Sequence, residues 1–209
     1  MTTNPRFDAT CLVLGSGRGV RMGGPKALLT SADGMPMAVA HARARMGECA
    51  SVVVVVRSSV GRQLRPWLPQ GARVVASSAP GGWGPAGSIA AAVRAGVLDR
   101  RWVLVTPVDL VPAKSSTVRS LLQACVEAGG RVNAVRPRAG GRGGHPVALR
   151  TDALVRAYLA SMPLPLRDVM RGWDCVDVEV DDSSIRADLN TPEAYRAWAG
   201  REPRFGFVR

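Results

Sequence analysis

The chain has 209 residues, of which 46% are hydrophobic, a composition typical of a globular protein and not of a disordered one. Its formal net charge is +12, but the basic residues are spread along the chain with no run of five or more. The charge alone therefore does not establish a nucleic-acid-binding protein, which stays an alternative. Such a positive charge can also attract an acidic small substrate.

The N-terminal sequence MTTNPRFDAT contains no apolar stretch typical of a signal peptide, and the other apolar runs are too short to span a membrane. The four cysteines (Cys11, Cys49, Cys125 and Cys175) lie far apart without a CxxC spacing. We expect buried thiols in a reducing compartment, with no disulfide and no metal site, so the predicted location is the cytoplasm.

Short apolar runs rich in β-branched residues alternate with segments of helical pattern in the first part of the chain. The strands are predicted over residues 9–15, 51–57, 72–77 and 101–109, and the helices over residues 36–48, 60–68, 85–97 and 115–129. The runs are continuously apolar, which is typical of strands buried on both faces. This order predicts an α/β fold of three layers around a mostly parallel, doubly wound, Rossmann-like sheet. Ser115 or Ser116 is the predicted cap of the last helix.

The second part of the chain changes character. Further strands are predicted over residues 131–138, 145–150 and 174–182, with helices from Thr151 or Asp152, over residues 166–173, and from Thr191 and Pro192. No linker, repeat or low-complexity block interrupts the sequence. We therefore expect a single domain over residues 1–209, in which residues 130–190 form an elaboration that could cover the site.

A glycine-rich segment, VLGSGRGVRMGGPKALL, follows the first predicted strand over residues 13–29. It carries Arg18, Arg21 and Lys26 and no acidic residue, and Lys26 is one of only two lysines in the chain. Glycines allow backbone N–H groups to converge on phosphate oxygens, while arginine can bind a phosphate with two donors and lysine supplies a compact charge. The segment is a candidate phosphate-binding loop, with a flexible loop as the alternative.

Two familiar phosphate-binding patterns are excluded. A Walker A loop requires Ser or Thr after its lysine, whereas Ala27 follows Lys26. The dinucleotide-binding fingerprint requires a third glycine where Val20 stands.

The stretch GRGVRMGGPK, residues 17–26, resembles the signature loop of nucleotidyltransferases, and most closely that of the MobA-like group, the guanylyl- and cytidylyltransferases of molybdopterin. The resemblance extends over about residues 9–198. It implies the sheet of the nucleotide-diphospho-sugar transferase type and a loop that wraps the triphosphate of a nucleotide, with its Arg and Lys on the phosphates.

Further motifs agree in order with this family. PVDL at residues 107–110 resembles the strand-end motif whose Asp holds Mg²⁺, with a turn-forming Asp as the alternative. GPAGSI at residues 84–89 resembles the segment that meets the nucleobase, although it could be an ordinary helix start. GGHPV at residues 143–147 resembles the Gly-His-Pro element of the cytidylyltransferase-like branch, although a lone histidine is more often structural. DLNTPE at residues 188–193 resembles the closing motif with a second metal ligand, and an Asn cap is its alternative.

The sequence departs from the family pattern in three places. Gly15 and Ser16 stand where two small residues, Ala-Ala or Ala-Gly, are usual, and Ala79 stands where Asn is common before Pro. In the strand-end motif, Val111 intervenes before the proline. The first two departures concern base and ribose contacts.

The resemblance implies a Mg²⁺-dependent enzyme that moves a nucleoside monophosphate from CTP or GTP to a phosphate-bearing acceptor, with molybdopterin the first candidate, and releases pyrophosphate. The alternatives are a sugar-phosphate or other alcohol-phosphate nucleotidyltransferase and a non-catalytic nucleotide-binding protein. The implied catalytic residues are Arg21, Lys26 and Asp109, with His145 on the acceptor side. The implied nucleotide-binding residues are Leu14, Gly15, Ser16, Gly17, Gly19, Gly23, Pro85 and Ser88. The implied metal ligands are Asp109 with Asp188 or Asn190.

Overall fold

The computed structural model describes residues 6–78, 83–160 and 162–206 of the chain. Within them, an eight-stranded sheet has the order β3-β2-β1-β4-β7-β5-β6, with β8 also paired to β5. The strands are β1 (Phe7–Leu14), β2 (Cys49–Val56), β3 (Ala72–Ala76), β4 (Trp102–Pro107), β5 (Ala134–Ala139), β6 (Arg142–Gly143), β7 (Val147–Arg150) and β8 (Cys175–Glu179). Strands β1 to β4 are parallel, and β8 is parallel to β5. The antiparallel strand β7 lies between β4 and β5, so the sheet is mixed but mostly parallel.

Helices cover both faces of this sheet. They are α1 (Met37–Arg45), α2 (Ser58–Leu64), α3 (Gly84–Arg94), α4 (Ser115–Ala128), α5 (Thr151–Ala160), α6 (Leu166–Val169) and α7 (Pro192–Ala199). Among the described residues, no helix is both long and apolar enough to cross a membrane.

Two apolar cores lie on opposite faces of the sheet. Cys11 and Val13 of β1 belong to one core together with residues of α1, α2 and α4, whereas Leu12 and Leu14 belong to the other core with residues of α3 and α5. A strand that buries both of its faces must be apolar at every position, which explains the continuous apolar runs. The predicted α/β fold with three layers is confirmed.

Residues 130–190 were predicted to form an elaboration that could cover the site, but they do not form a unit separate from the sheet. Strands β5, β7 and β8 instead extend the same sheet beyond β4. The predicted helix over residues 60–68 is also shorter, because the chain passes from α2 into a 3-10 turn over Arg65–Trp67 that contains Pro66, which has no backbone N–H to continue the helix.

The predicted serine cap of α4 is wrong. The N-cap residue is Lys114, which makes no side-chain cap, and the helix start is held by Asp182 from a distant turn. The Asp182 carboxylate accepts hydrogen bonds from the Lys114 backbone N–H at 2.8 Å and from Thr117 Oγ1 at 2.7 Å. It also accepts from the Ser184 backbone N–H at 3.1 Å. Burial raises the pKa of Asp182, but these hydrogen bonds outweigh it and hold the pKa below its ordinary value of 3.8.

The cysteines are free thiols in the structure. Cys11, Cys49 and Cys125 are buried as predicted, and burial raises the pKa of Cys49 and of Cys125 to about 12. Cys175 is only half-buried, because it lies on β8, a strand whose five residues are all half-buried or exposed.

We predict that Asp182→Ala lowers the free energy of unfolding by about 2 to 3 kcal/mol, because buried donors at the start of α4 lose their acceptor. Because its folded pKa is lowered, the contribution of Asp182 is present above pH 3.8 and is lost as the pH falls through the folded pKa. Urea denaturation of wild type and variant between pH 3 and pH 7 measures both effects. The exposed neighbour Asp181→Ala is the control, and equal stability of the two variants at pH 7 would contradict the prediction.

Candidate functional site

Residues 15–26, here called the glycine loop, leave the carboxyl end of β1 and return to the core. A 3-10 turn over Val20–Met22 lies between Gly19 and Gly23, whose φ angles of 62° and 81° are left-handed. A Cβ atom on Gly19 would lie 1.8 Å from the Gly24 carbonyl oxygen, so only glycine fits there. Met22 is buried and anchors the turn. The glycine loop is therefore folded against the core.

Lys26 contacts two other segments of the chain. The 3-10 turn Lys26–Leu28 begins after Pro25, and its buried side chains fix the start of the turn in the core. Lys26 Nζ donates to Asp109 Oδ2 at 2.9 Å and to Asn190 Oδ1. The cation and its two oxygen partners form one cluster.

Backbone pairing brings Asp109 and Asn190 together. The Leu189 N–H donates to the Asp109 carbonyl at 2.7 Å, and the Val111 N–H donates to the Ala187 carbonyl at 3.0 Å. Thr191 caps α7 through its Oγ1, which accepts from the Ala194 N–H at 3.2 Å. Asn190 is thus not the helix cap, and its side-chain oxygen accepts a hydrogen bond from Lys26 instead.

Two buried side chains of α1 hold the segment that follows Asp109. His41 Nε2 lies 2.9 Å from the Leu110 carbonyl oxygen, to which it must donate because a carbonyl only accepts. Burial lowers the pKa of His41 to about 4, so the ring is neutral near pH 7. Arg45 Nη2 donates to the Ala113 carbonyl at 2.7 Å. The sequence did not reveal these supports, because nothing local distinguishes them from ordinary helix residues.

A cleft of about 610 Å³ opens at the carboxyl ends of β1, β2 and β4. Its cationic lining consists of Arg18, Arg21, Lys26 and Arg57, against the single carboxylate of Asp109 among the described lining residues. The cleft is also lined by Arg57, Ser77 and Ser78, which were not among the site residues predicted from the sequence. Their positions at the carboxyl ends of the predicted strands 51–57 and 72–77 were the available signal, because ligands of parallel sheets bind beyond the carboxyl ends of the strands.

Most of the predicted nucleotide-binding residues line this cleft. They are Leu14, Ser16, Gly17, Gly19, Pro85 and Ser88. The Ser16 and Ser88 hydroxyl oxygens lie 2.6 Å apart and join the glycine loop to α3, whose N-terminus faces the cleft.

Two of the predicted nucleotide-binding glycines do not line the cleft. Gly15 lies behind its wall, where a Cβ atom would be 3.0 Å from Val56 Cγ1 and 3.1 Å from Ala27 Cβ. Gly23 ends the 3-10 turn. The chain is therefore tightly packed around Gly15, which is one of the departures from the family pattern. Ala79, another departure, lies outside the described residues.

The side chains of the other two predicted residues, Asp188 and His145, make no hydrogen bond to Lys26 in the described part of the chain. Asp188 is exposed, and its backbone pairs with that of Leu110. The His145 ring donates to the Val105 carbonyl and does not line the cleft. Burial lowers the pKa of His145, and the Val105 contact and the nearby Asp109 charge oppose that effect.

The donor atoms present suit a hard cation. Among the described ranges, no group of three or more His, Cys, Asp or Glu residues could hold a metal by itself. The Asp109 carboxylate and the Asn190 amide oxygen nevertheless lie close together, because both accept a hydrogen bond from the ammonium group of Lys26. Mg²⁺ takes oxygen ligands and is often bound through one or two carboxylates together with substrate phosphates, so this set fits Mg²⁺ bound with a polyphosphate.

Comparison with known proteins agrees with the geometry. Residues 11–174 match the family model of the MobA-like NTP transferase domain. The molybdenum cofactor guanylyltransferase of Ralstonia pickettii (strain 12J) is 31% identical over 94% of this chain and 98% of its own length.

Solved structures share the fold at lower identity. The Mycobacterium tuberculosis Rv0371c homologue from Mycobacterium sp. strain JC1 superposes with a TM-score of 0.72 at 21% identity, over 94% of this chain and 97% of that one. Rv0371c of Mycobacterium tuberculosis H37Rv in complex with manganese has a TM-score of 0.66 at 18% identity, over 92% and 98% of the two chains.

We predict that Gly19→Ala weakens binding of inorganic tripolyphosphate about tenfold or more, because the added methyl group displaces the Gly24 carbonyl and with it the glycine loop. Isothermal titration calorimetry measures the affinity. Gly47→Ala is the matched control, since a Cβ atom there meets nothing within 4 Å. Wild-type affinity in a folded Gly19→Ala protein would contradict the prediction.

Proposed function

The chain belongs to the MobA-like NTP transferase family and is a nucleotidyltransferase, and from this premise we propose that it transfers a guanylyl group from GTP to the phosphate of molybdopterin. The Ralstonia pickettii relative, a molybdenum cofactor guanylyltransferase aligned over nearly its whole length, supports GTP and this acceptor. We propose that residues 1–209 act as a single nucleotidyltransferase domain, which the 94% coverage of the alignment supports.

The observation that carries the proposal is the contact of Lys26 with Asp109 and Asn190 beside the glycine loop. The contact is supporting evidence because a cation and two side-chain oxygen atoms lie together next to a cleft that is also lined by three arginines. A nucleoside triphosphate and its metal ion require both kinds of group at one place.

In the proposed reaction, the N–H groups of the glycine loop and the side chains of Arg21 and Lys26 bind the phosphates of the nucleotide. A phosphate oxygen of the acceptor attacks the α-phosphorus and forms a new P–O bond. The bond between the α-phosphorus and the oxygen bridging to the β-phosphate breaks, and pyrophosphate leaves with that electron pair. The side chains take no covalent part; they align the reactants and neutralise the charge that develops on the leaving group.

Asp109 and Asn190 are the residues that would hold Mg²⁺. The bound cation would neutralise phosphate charge and orient the phosphates. Because Asn190 contacts Lys26 and Asp188 does not, we favour Asn190 over Asp188 as the second ligand.

CTP is the second candidate nucleotide. The Gly-His-Pro element at residues 143–147 resembles that of the cytidylyltransferase-like branch. A sugar phosphate or another alcohol phosphate is the alternative acceptor.

We predict that Lys26→Ala and Asp109→Ala each lower the rate of pyrophosphate release about 10²- to 10³-fold, because each removes a preorganised charge from the reaction centre. Circular dichroism verifies folding of each variant. Lys114→Ala, which removes the other lysine of the chain, is the matched control. Full turnover in both cleft variants would refute the assignment.

We predict that among ATP, GTP, CTP and UTP, with Mg²⁺ present, GTP raises the melting temperature most and supports pyrophosphate release with molybdopterin. A ligand at one hundred times its Kd stabilises the folded protein by about 2.7 kcal/mol, which a thermal shift detects. A preference for CTP would favour the second candidate, and GTP binding without pyrophosphate release would indicate an acceptor other than molybdopterin. Chelation of divalent metal with EDTA should abolish turnover.

A further inference from the structure

The C-terminal segment of residues 201–206, here called the strap, pairs with the chain just after Lys26. Phe205 forms an antiparallel bridge with Leu29. On one side of this bridge the Thr30 N–H donates to the Arg204 carbonyl at 2.9 Å, and on the other the Gly206 N–H donates to the Leu28 carbonyl at 2.8 Å. The strap therefore holds the chain where the glycine loop ends.

Side chains before and within the strap secure the same stretch. The hydroxyl of Tyr195, a fully buried residue of α7, donates to the Thr30 carbonyl at 2.6 Å. Arg201 Nη2 donates to the Ser31 carbonyl. The strap is thus anchored from α7 onward.

The ring of Phe205 lies directly on the glycine loop. A Cβ atom on Gly24 would be 3.0 Å from Phe205 Cδ1 and 3.1 Å from Cε1, so the ring packs against the bare backbone of Gly24. Gly24 lies between Arg21 and Lys26, the two side chains proposed to bind phosphate. Its φ is not left-handed, so the ring of Phe205, and not the backbone conformation, opposes a side chain at this position.

We propose that Phe205 is a positioning residue for the phosphate-binding half of the glycine loop, and that the strap is part of the nucleotide site. The strap lies beyond residues 11–174, which match the family model. The consequence for catalysis rests on the proposed function, whereas the ordering of the loop does not.

The glycine loop needs a positioning residue because of its composition. Glycine has more backbone freedom to lose than any other residue, so a glycine-rich segment needs contacts from outside to hold one conformation. The first half of the loop contacts α3 through Ser16 and Ser88. Phe205 supplies a corresponding contact for the second half, at Gly24. Small displacements of groups that hold a substrate reduce binding and rate strongly.

The first test replaces the ring. We expect Phe205→Ala to raise the KM for the triphosphate about tenfold and to leave the KM for the acceptor within about twofold, with Phe205→Leu restoring most of the loss. In the protein without nucleotide, hydrogen exchange of the amides of residues 19–26 should accelerate about tenfold. Glu202→Ala, an exposed change within the strap, is the control for both readouts. A purely structural role would lower the melting temperature and the active fraction without moving the KM for the triphosphate.

The second test approaches the contact from the loop. Gly24→Ala should also raise the KM for the triphosphate, because the methyl group meets the Phe205 ring. Since Phe205→Ala removes that ring, the double variant should lose no more than Phe205→Ala alone. Multiplicative losses in the double variant, or an unchanged KM and unchanged exchange in folded Phe205→Ala, would overturn the proposal.

If Phe205→Ala does not fold, Gly24→Ala with Phe205→Leu decides the question, because the smaller side chain should relieve part of the clash. Failure of the wild type to turn over any triphosphate would refute the proposed function. The hydrogen-exchange comparison would still decide whether the strap orders the glycine loop.

Discussion

The contact of Lys26 with Asp109 and Asn190 is the interaction on which the candidate site depends. It joins residues that lie 83 and 164 positions apart in the chain, so it forms only when β1, β4 and the segment before α7 meet at one edge of the sheet. Lys26 is 15% exposed and Asp109 27%, which leaves both within reach of a ligand in the cleft. The same groups that stabilise one another here are those that a nucleotide and its cation would engage, so binding would exchange one set of charge contacts for another.

The glycine loop combines backbone freedom with firm anchors. Gly19 permits a close approach of backbone to backbone that any side chain would prevent, while Met22 and Ala27 are buried in the core beneath it. Such a loop can present N–H groups to an anion without paying the full entropy of ordering when the anion arrives. The contact with Phe205 adds a further anchor, because it brings the strap onto Gly24.

The segment that carries Asp109 is held on both sides. The residues before α7 pair with its backbone, and His41 and Arg45 of α1 bind its carbonyl groups from the buried side. The neutral state of His41 suits this role, since a buried imidazolium beside Arg45 would carry an uncompensated charge. The cluster at Lys26 is therefore supported by elements from nearly the whole length of the chain.

The sequence by itself determined the α/β architecture and the glycine loop. Continuous apolar runs indicate strands that are buried on both faces of a sheet, and glycines beside cationic residues indicate a loop that can bind an anion. Both signals can be recognised because each lies within one short segment of the chain. It did not indicate that Asn190 and not Asp188 joins Asp109 on Lys26, that Asp182 holds the start of α4, or that Phe205 covers Gly24. Only the tertiary structure decided these contacts, because each joins segments that are distant in the chain, and which distant residues meet depends on how the sheet is assembled and not on any local pattern.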